Sequence, residues 1–140
     1  MFRLTKRAVM DNVDLMIERV LEEAESHVSL TEKEKIEIRL VCEEILVNIV
    51  HYAYAESGEM TVSMEFDVVK HELRLCFMDH GRPFNPLEKE TPDLDADASV
   101  RPVGGLGIYM VRQIADFVEY ARNEGQNELT VVKSCKGIGG

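Results

Sequence analysis

Val41-Cys42-Glu43-Glu44-Ile45-Leu46-Val47-Asn48-Ile49-Val50-His51-Tyr52 is mostly apolar, yet beside Glu43 and His51 it carries an acid at 44 and an amide at 48. Upstream, Thr31-Glu32-Lys33-Glu34 has the S/T-x-x-E spacing of a capping box and opens a helix. That helix is expected over about 32–55, with Ile38, Val41, Cys42, Ile45, Ile49 and Tyr52 as its buried stripe and Glu56-Ser57-Gly58-Glu59 as its end. Residues four apart project from nearly the same side of a helix, so Glu44 and Asn48 stand together. Two polar groups inside a core-like run need partners, and that singles them out.

Working outward, the N-terminal side reads as a short strand over 2–8 and an amphipathic helix over 11–26. Asp11 or Asn12 is the expected cap, and Val13, Met16, Ile17, Val20, Leu21 and Ala24 recur at helical spacing. On the C-terminal side, Met60, Val62, Met64, Phe66 and Val68 alternate with polar residues, which predicts a strand. Lys70-His71 turns the chain into a second strand, where Leu73, Leu75 and Phe77 share a face and the parity continues to Asp79. A carboxylate is therefore aimed toward the core side at a strand end, where it needs a hydrogen-bond partner.

Two further segments bear on chemistry. In Asp79-His80-Gly81-Arg82-Pro83-Phe84, a strand-end acceptor with glycine two residues later suits the amino group of a flat ring, although such a hexapeptide is also an ordinary turn. Gly104-Gly105-Leu106-Gly107 precedes a helix with the apolar stripe Ile108, Val111, Ile114 and Ala115, and backbone N–H groups at such a helix start approach anions. No Gly-Lys-Ser/Thr follows, so this is not a Walker A loop, and the dinucleotide spacing is absent. Between these segments, residues 85–103 are rich in proline and acid, a long segment of the functional or mobile kind. A hairpin around Asn123-Glu124-Gly125-Gln126 is expected to complete a single domain over 1–136, with a frayed tail at 137–140.

Composition sets the bounds. The 140 residues fit one domain, and a formal charge of −10 argues against direct nucleic-acid binding, which draws on clustered Lys and Arg. No apolar run is long enough to span a membrane, and no signal peptide is read at the N-terminus. Cys42, Cys76 and Cys135 are scattered, with no CxxC, so neither a zinc site nor a disulfide framework is expected; Cys42 and Cys76 sit in apolar segments and are read as small core residues, and together these point to a reducing cytoplasm.

The order Glu44-x-x-x-Asn48, Asp79-x-Gly81-x-x-Phe84, Gly104-Gly105-x-Gly107 resembles the ATPase fold shared by gyrase, Hsp90, histidine kinases and MutL. Within that superfamily it is most similar to the small bacterial anti-sigma factor serine kinases of stress response and sporulation. The resemblance covers nearly the whole chain, most specifically Val41 to Tyr54 and Arg101 to Tyr109. It implies an α+β, two-layer Bergerat-type fold: a mixed, mostly antiparallel sheet with helices on one face. ATP and Mg²⁺ are the implied cofactors. Asn48 would hold Mg²⁺ and Asp79 would accept from the adenine amino group, with Gly81 and Phe84 nearby. Gly104, Gly105, Leu106 and Gly107 would lie along the phosphates, residues 85–103 would form the lid, and Thr130 would sit near the adenine. Glu44 would be the general base for a partner's serine. The implied partners are an anti-anti-sigma protein of the STAS type and a sigma factor, with a homodimer as a further expectation. Many relatives carry His four residues after the metal-binding Asn; here that position is Tyr52 and His51 comes one residue early. The alternatives are a non-catalytic docking module that keeps ATP as a structural ligand, and the catalytic domain of a histidine kinase. The latter is disfavoured because no phosphoacceptor helix pair is read ahead of the ATPase elements.

Overall fold

The computed structural model describes residues 1–88 and 105–136, with the side chains of Gly105 and Leu106 left aside. Gly104, the greater part of the expected lid and the 137–140 tail lie outside the described residues.

Three helices are set into a strand framework: β1 (Phe2–Arg7), α1 (Val13–Glu25), α2 (Glu32–Tyr52), β2 (Glu59–Asp67), β3 (Glu72–Asp79), α3 (Gly105–Ile114), β4 (Phe117–Asn123) and β5 (Gln126–Ser134). The strands form one five-stranded sheet in the order β1-β2-β3-β5-β4. All four pairings are antiparallel, so the mixed element of the expected sheet has no counterpart among the described residues. The cause is local. β4 and β5 are joined by a two-residue turn at Glu124 and Gly125, both with positive φ, which returns β5 antiparallel between β4 and β3.

Strand alternation decides which side is core. Met60, Val62, Met64, Leu73, Leu75, Phe77, Leu129 and Val131 all belong to one buried cluster with the inner stripes of the helices. Asp79 keeps the parity of Leu75 and Phe77 and faces the helices as the sequence predicts. Thr61, Ser63, Cys76 and Thr130 alternate with these core residues and occupy the other face.

The helix starts divide by their caps. At α2, Thr31 Oγ1 accepts from Glu34 N at 3.0 Å and Glu34 Oε1 accepts from Thr31 N at 3.0 Å, the full reciprocal box. At α1 the expected cap does not form: Asn12 donates instead to Arg7 O at 3.0 Å, and Met10–Asn12 coil into a short 3-10 turn. α2 stops at Tyr52, three residues before the expected end, because Ala53 O turns to accept from Arg82 N at 2.9 Å. The front of the expected lid is anchored: Pro86–Glu88 form a 3-10 turn, Pro86 is buried, and Arg112 Nη2 donates to Leu87 O at 2.8 Å. No helix among the described residues is long and apolar enough to cross a membrane.

Candidate functional site

Four polar side chains are buried among the described residues: Asn48, Ser63, Asp79 and Asn127. Burying an amide or carboxylate costs several kcal/mol unless it is hydrogen-bonded, so their placement is informative. Three of the four, Asn48, Asp79 and Asn127, line a single hollow between α2 and the end of the sheet. Its apolar walls come from Ile45 and Ile49 on α2, from Ala53 just past its end and from Phe77 and Leu129 on the central strands, while Phe84, Pro86 and Tyr120 form the rim. Its cavity volume is about 30 Å³, well below the range of small-molecule sites, so a ring would enter only as the walls part.

Helical spacing delivers the α2 pair. Asn48 Nδ2 donates to Glu44 Oε1 at 3.3 Å, one turn earlier. Donation through the nitrogen keeps the amide oxygen of Asn48 as the acceptor available to a hard cation. Glu44 itself is half-buried and opens into a neighbouring groove with Leu40, Glu43, Val47, Gly107 and Met110. Gly107 belongs to the first turn of α3, and a β-carbon there would overlap the Glu44 carboxylate. The positive end of the α3 dipole thus lies beside an acid, a favourable pairing.

Opposite this pair, Asp79 closes β3. Its Oδ1 accepts from Gly81 N at 2.9 Å, a local turn, and from Asn127 Nδ2 at 2.9 Å across the sheet. Gly81 is needed for a different reason than ring contact. It is buried against the end of α2, where a β-carbon would overlap Ala53 O. Phe84 lines the hollow and stacks on Tyr52, with ring centroids 5.7 Å apart. Arg82 Nε donates to Tyr52 O at 2.7 Å and Arg122 Nη1 donates to Gly81 O at 2.8 Å, so the 80–84 loop is held from both sides.

The structure therefore brings Asn48, Asp79 and Phe84 to one hollow, with Glu44 bonded at its edge and Gly107 against Glu44. Gly105 begins α3, Leu106 follows it, and Gly104 lies outside the described residues. Thr130 does not join them, which corrects the expectation that it sits near the adenine. It pairs with Cys76 on the opposite face of the sheet, and its Oγ1 lies 3.8 Å from Cys76 Sγ. The inward position at that end of β5 belongs to Asn127, directly across from Asp79. The alternation of Asn127, Leu129 and Val131 with polar neighbours is the signal that marks it, a polar residue at a core-facing position.

Among the described residues no three His, Cys, Asp or Glu side chains form a metal cluster. The thiols stand apart from the site: burial pushes Cys42 up to about 12 and Cys135 up to about 11, so both stay protonated near neutral pH.

Comparison with known proteins identifies the family of the fold. Residues 7–133 match the model of the histidine kinase-like ATPase domain. A serine/threonine-protein kinase, BtrW, of Bordetella bronchiseptica is 25% identical over 109 residues, covering 75% of this chain and 77% of that protein. The serine-protein kinase RsbW of Bacillus cereus is 29% identical over 98 residues, covering 66% of this chain and 60% of that protein. A crystal structure of the RsbU and RsbW domains of a Mycobacterium tuberculosis protein superposes with a TM-score of 0.66 at 14% identity, over 96% of this chain and 33% of that one, which shows a shared fold. With the match running across nearly all of the sheet and all three helices, the chain belongs to the histidine kinase-like ATPase domain family.

Proposed function

We propose that this protein is an ATP- and Mg²⁺-dependent serine/threonine kinase that acts on an anti-anti-sigma partner and, in its other binding state, holds a sigma factor. The observation that carries the reading is the sharing of one hollow by Asn48 and Asp79, with Glu44 hydrogen-bonded to Asn48 at its edge. The kinase names of BtrW and RsbW support it.

The division of labour follows from the chemistry of each group. Asp79 Oδ2 makes no hydrogen bond among the described residues and is the acceptor available to the adenine amino group. Ile45, Ile49 and Phe77 give the ring an apolar bed. Asn48 supplies an amide oxygen to the cation, whose chemistry is to neutralise the charge that spreads over the phosphates during transfer. Glu44 accepts the proton of the attacking serine hydroxyl, which would enter from the groove lined by Leu40, Val47 and Met110. Gly104 to Gly107 would border the phosphates through backbone N–H groups at the start of α3. A phosphate placed on the partner adds a charge of about −2, enough to break an interface with a protein of formal charge −10.

Incubation with labelled ATP, Mg²⁺ and the anti-anti-sigma protein encoded nearby tests this. The expected result is label on a serine of that protein, lost in Glu44→Ala while ATP still binds. Binding without transfer in the unaltered protein would instead make it a docking module.

A further inference from the structure

The amide of Asn127 has its full complement of hydrogen bonds. Nδ2 donates to Asp79 Oδ1 at 2.9 Å and to Arg82 O at 2.8 Å. Oδ1 accepts from Phe84 N at 3.4 Å and from the Tyr120 hydroxyl. A primary amide offers two N–H donors and two lone pairs, so all four places are filled. Rotating the amide by half a turn would set its oxygen against a carboxylate and a carbonyl, and its N–H groups against an N–H. The orientation is therefore fixed by its surroundings, in a side chain only 5% exposed.

We infer that Asn127 is a positioning residue that sets nucleobase selectivity by pinning one oxygen of Asp79. Having no free donor or acceptor of its own, it acts through its neighbour. With Oδ1 taken by Asn127 Nδ2 and by Gly81 N, the carboxylate plane cannot turn, and only Oδ2 faces the base. An acceptor held there welcomes the amino group of adenine and opposes the carbonyl oxygen that guanine carries at the same place. Released from its pin, the carboxylate could rotate, recruit water and tolerate either base. The same amide holds Arg82 O and Phe84 N, so the ring wall at Phe84 is fixed in register with the acceptor.

This inference rests on the ATP site proposed above. Its test is calorimetric titration of the full chain with ATP and with GTP, each with Mg²⁺, for the unaltered protein, Asn127→Leu and Tyr120→Phe. The Tyr120→Phe change removes one bond to the amide at the rim of the sheet and keeps the falsifiable comparison should Asn127→Leu fail to fold. The expected result is a clear preference for ATP in the unaltered protein. That ATP:GTP affinity ratio falls at least tenfold in Asn127→Leu and about threefold in Tyr120→Phe. A merely structural amide would weaken both nucleotides together and leave the ratio alone. An unchanged ratio in the folded variants overturns the positioning role while leaving the ATP site standing. Absence of ATP binding in the unaltered protein overturns both.

Discussion

Gly107 of α3 lies against the carboxylate of Glu44 on α2 so closely that the glycine has no room for a β-carbon. The obstructing atoms are the far end of a flexible side chain, not backbone. Gly107→Ala is therefore expected to move the carboxylate rather than unfold the protein, and alanine gains about 1 kcal/mol of helix propensity over glycine. Thermal unfolding of the variant should match or exceed the unaltered protein, while serine phosphorylation should fall at least tenfold. A destabilised variant with full transfer rate would contradict the assignment of Glu44 as base.

Gly81→Ala should show the opposite pattern. Here the obstruction is the backbone carbonyl of Ala53, which also accepts from Arg82 N and has nowhere to go. Overpacking against backbone is expected to cost about 3 kcal/mol and to weaken nucleotide binding by misplacing Asp79. Denaturant midpoints for the two glycine variants, measured side by side, check the contrast.

The capping box at the head of α2 is a purely local device. Thr31→Ala removes the acceptor for Glu34 N and is expected to cost about 1 kcal/mol, with ATP affinity unchanged. A loss of affinity would mean that the start of α2 communicates with Asn48, nearly five turns away, which nothing in the contacts requires.

Cys42 makes the fold sensitive to alkali. Burial raises its thiol from the ordinary 9.0 to about 12. In the unfolded chain the thiol ionises near its ordinary value, so between pH 9 and 12 the unfolded state binds fewer protons than the folded one. Stability from this group is then lost as pH rises, by about 1.4 kcal/mol per unit, and is constant below pH 9. Urea unfolding under reducing conditions at pH 8.5, 9.5 and 10.5 should show the decline, with a shallower slope in Cys42→Ala.

Much of this architecture is legible in the chain. Local signals suffice where a feature depends on near neighbours: the Thr31–Glu34 box, the Glu44–Asn48 spacing and the parity that aims Asp79 inward all appear as expected. Features that depend on distant partners are harder. Asn127 acquires meaning only once β5 lies beside β3 and places it opposite Asp79, a pairing 48 residues apart. Thr130 has the residue type that the resemblance implies, but strand alternation puts it on the far face with Cys76. Asn12 looks like a cap, but the nearby Arg7 carbonyl at the end of β1 captures its side chain instead. The end of α2 is set by Arg82, thirty positions on, rather than by the local Glu56–Glu59 break.

Asp79 is the group on which adenine recognition in the proposed site depends. Titration of Asp79→Ala with ATP and Mg²⁺ is the direct measure, with circular dichroism to show that the sheet and helices persist. ATP affinity is expected to fall at least a hundredfold, in line with losing a buried charged acceptor and its apolar setting. A folded variant that binds ATP as tightly as the unaltered protein would place the nucleotide elsewhere.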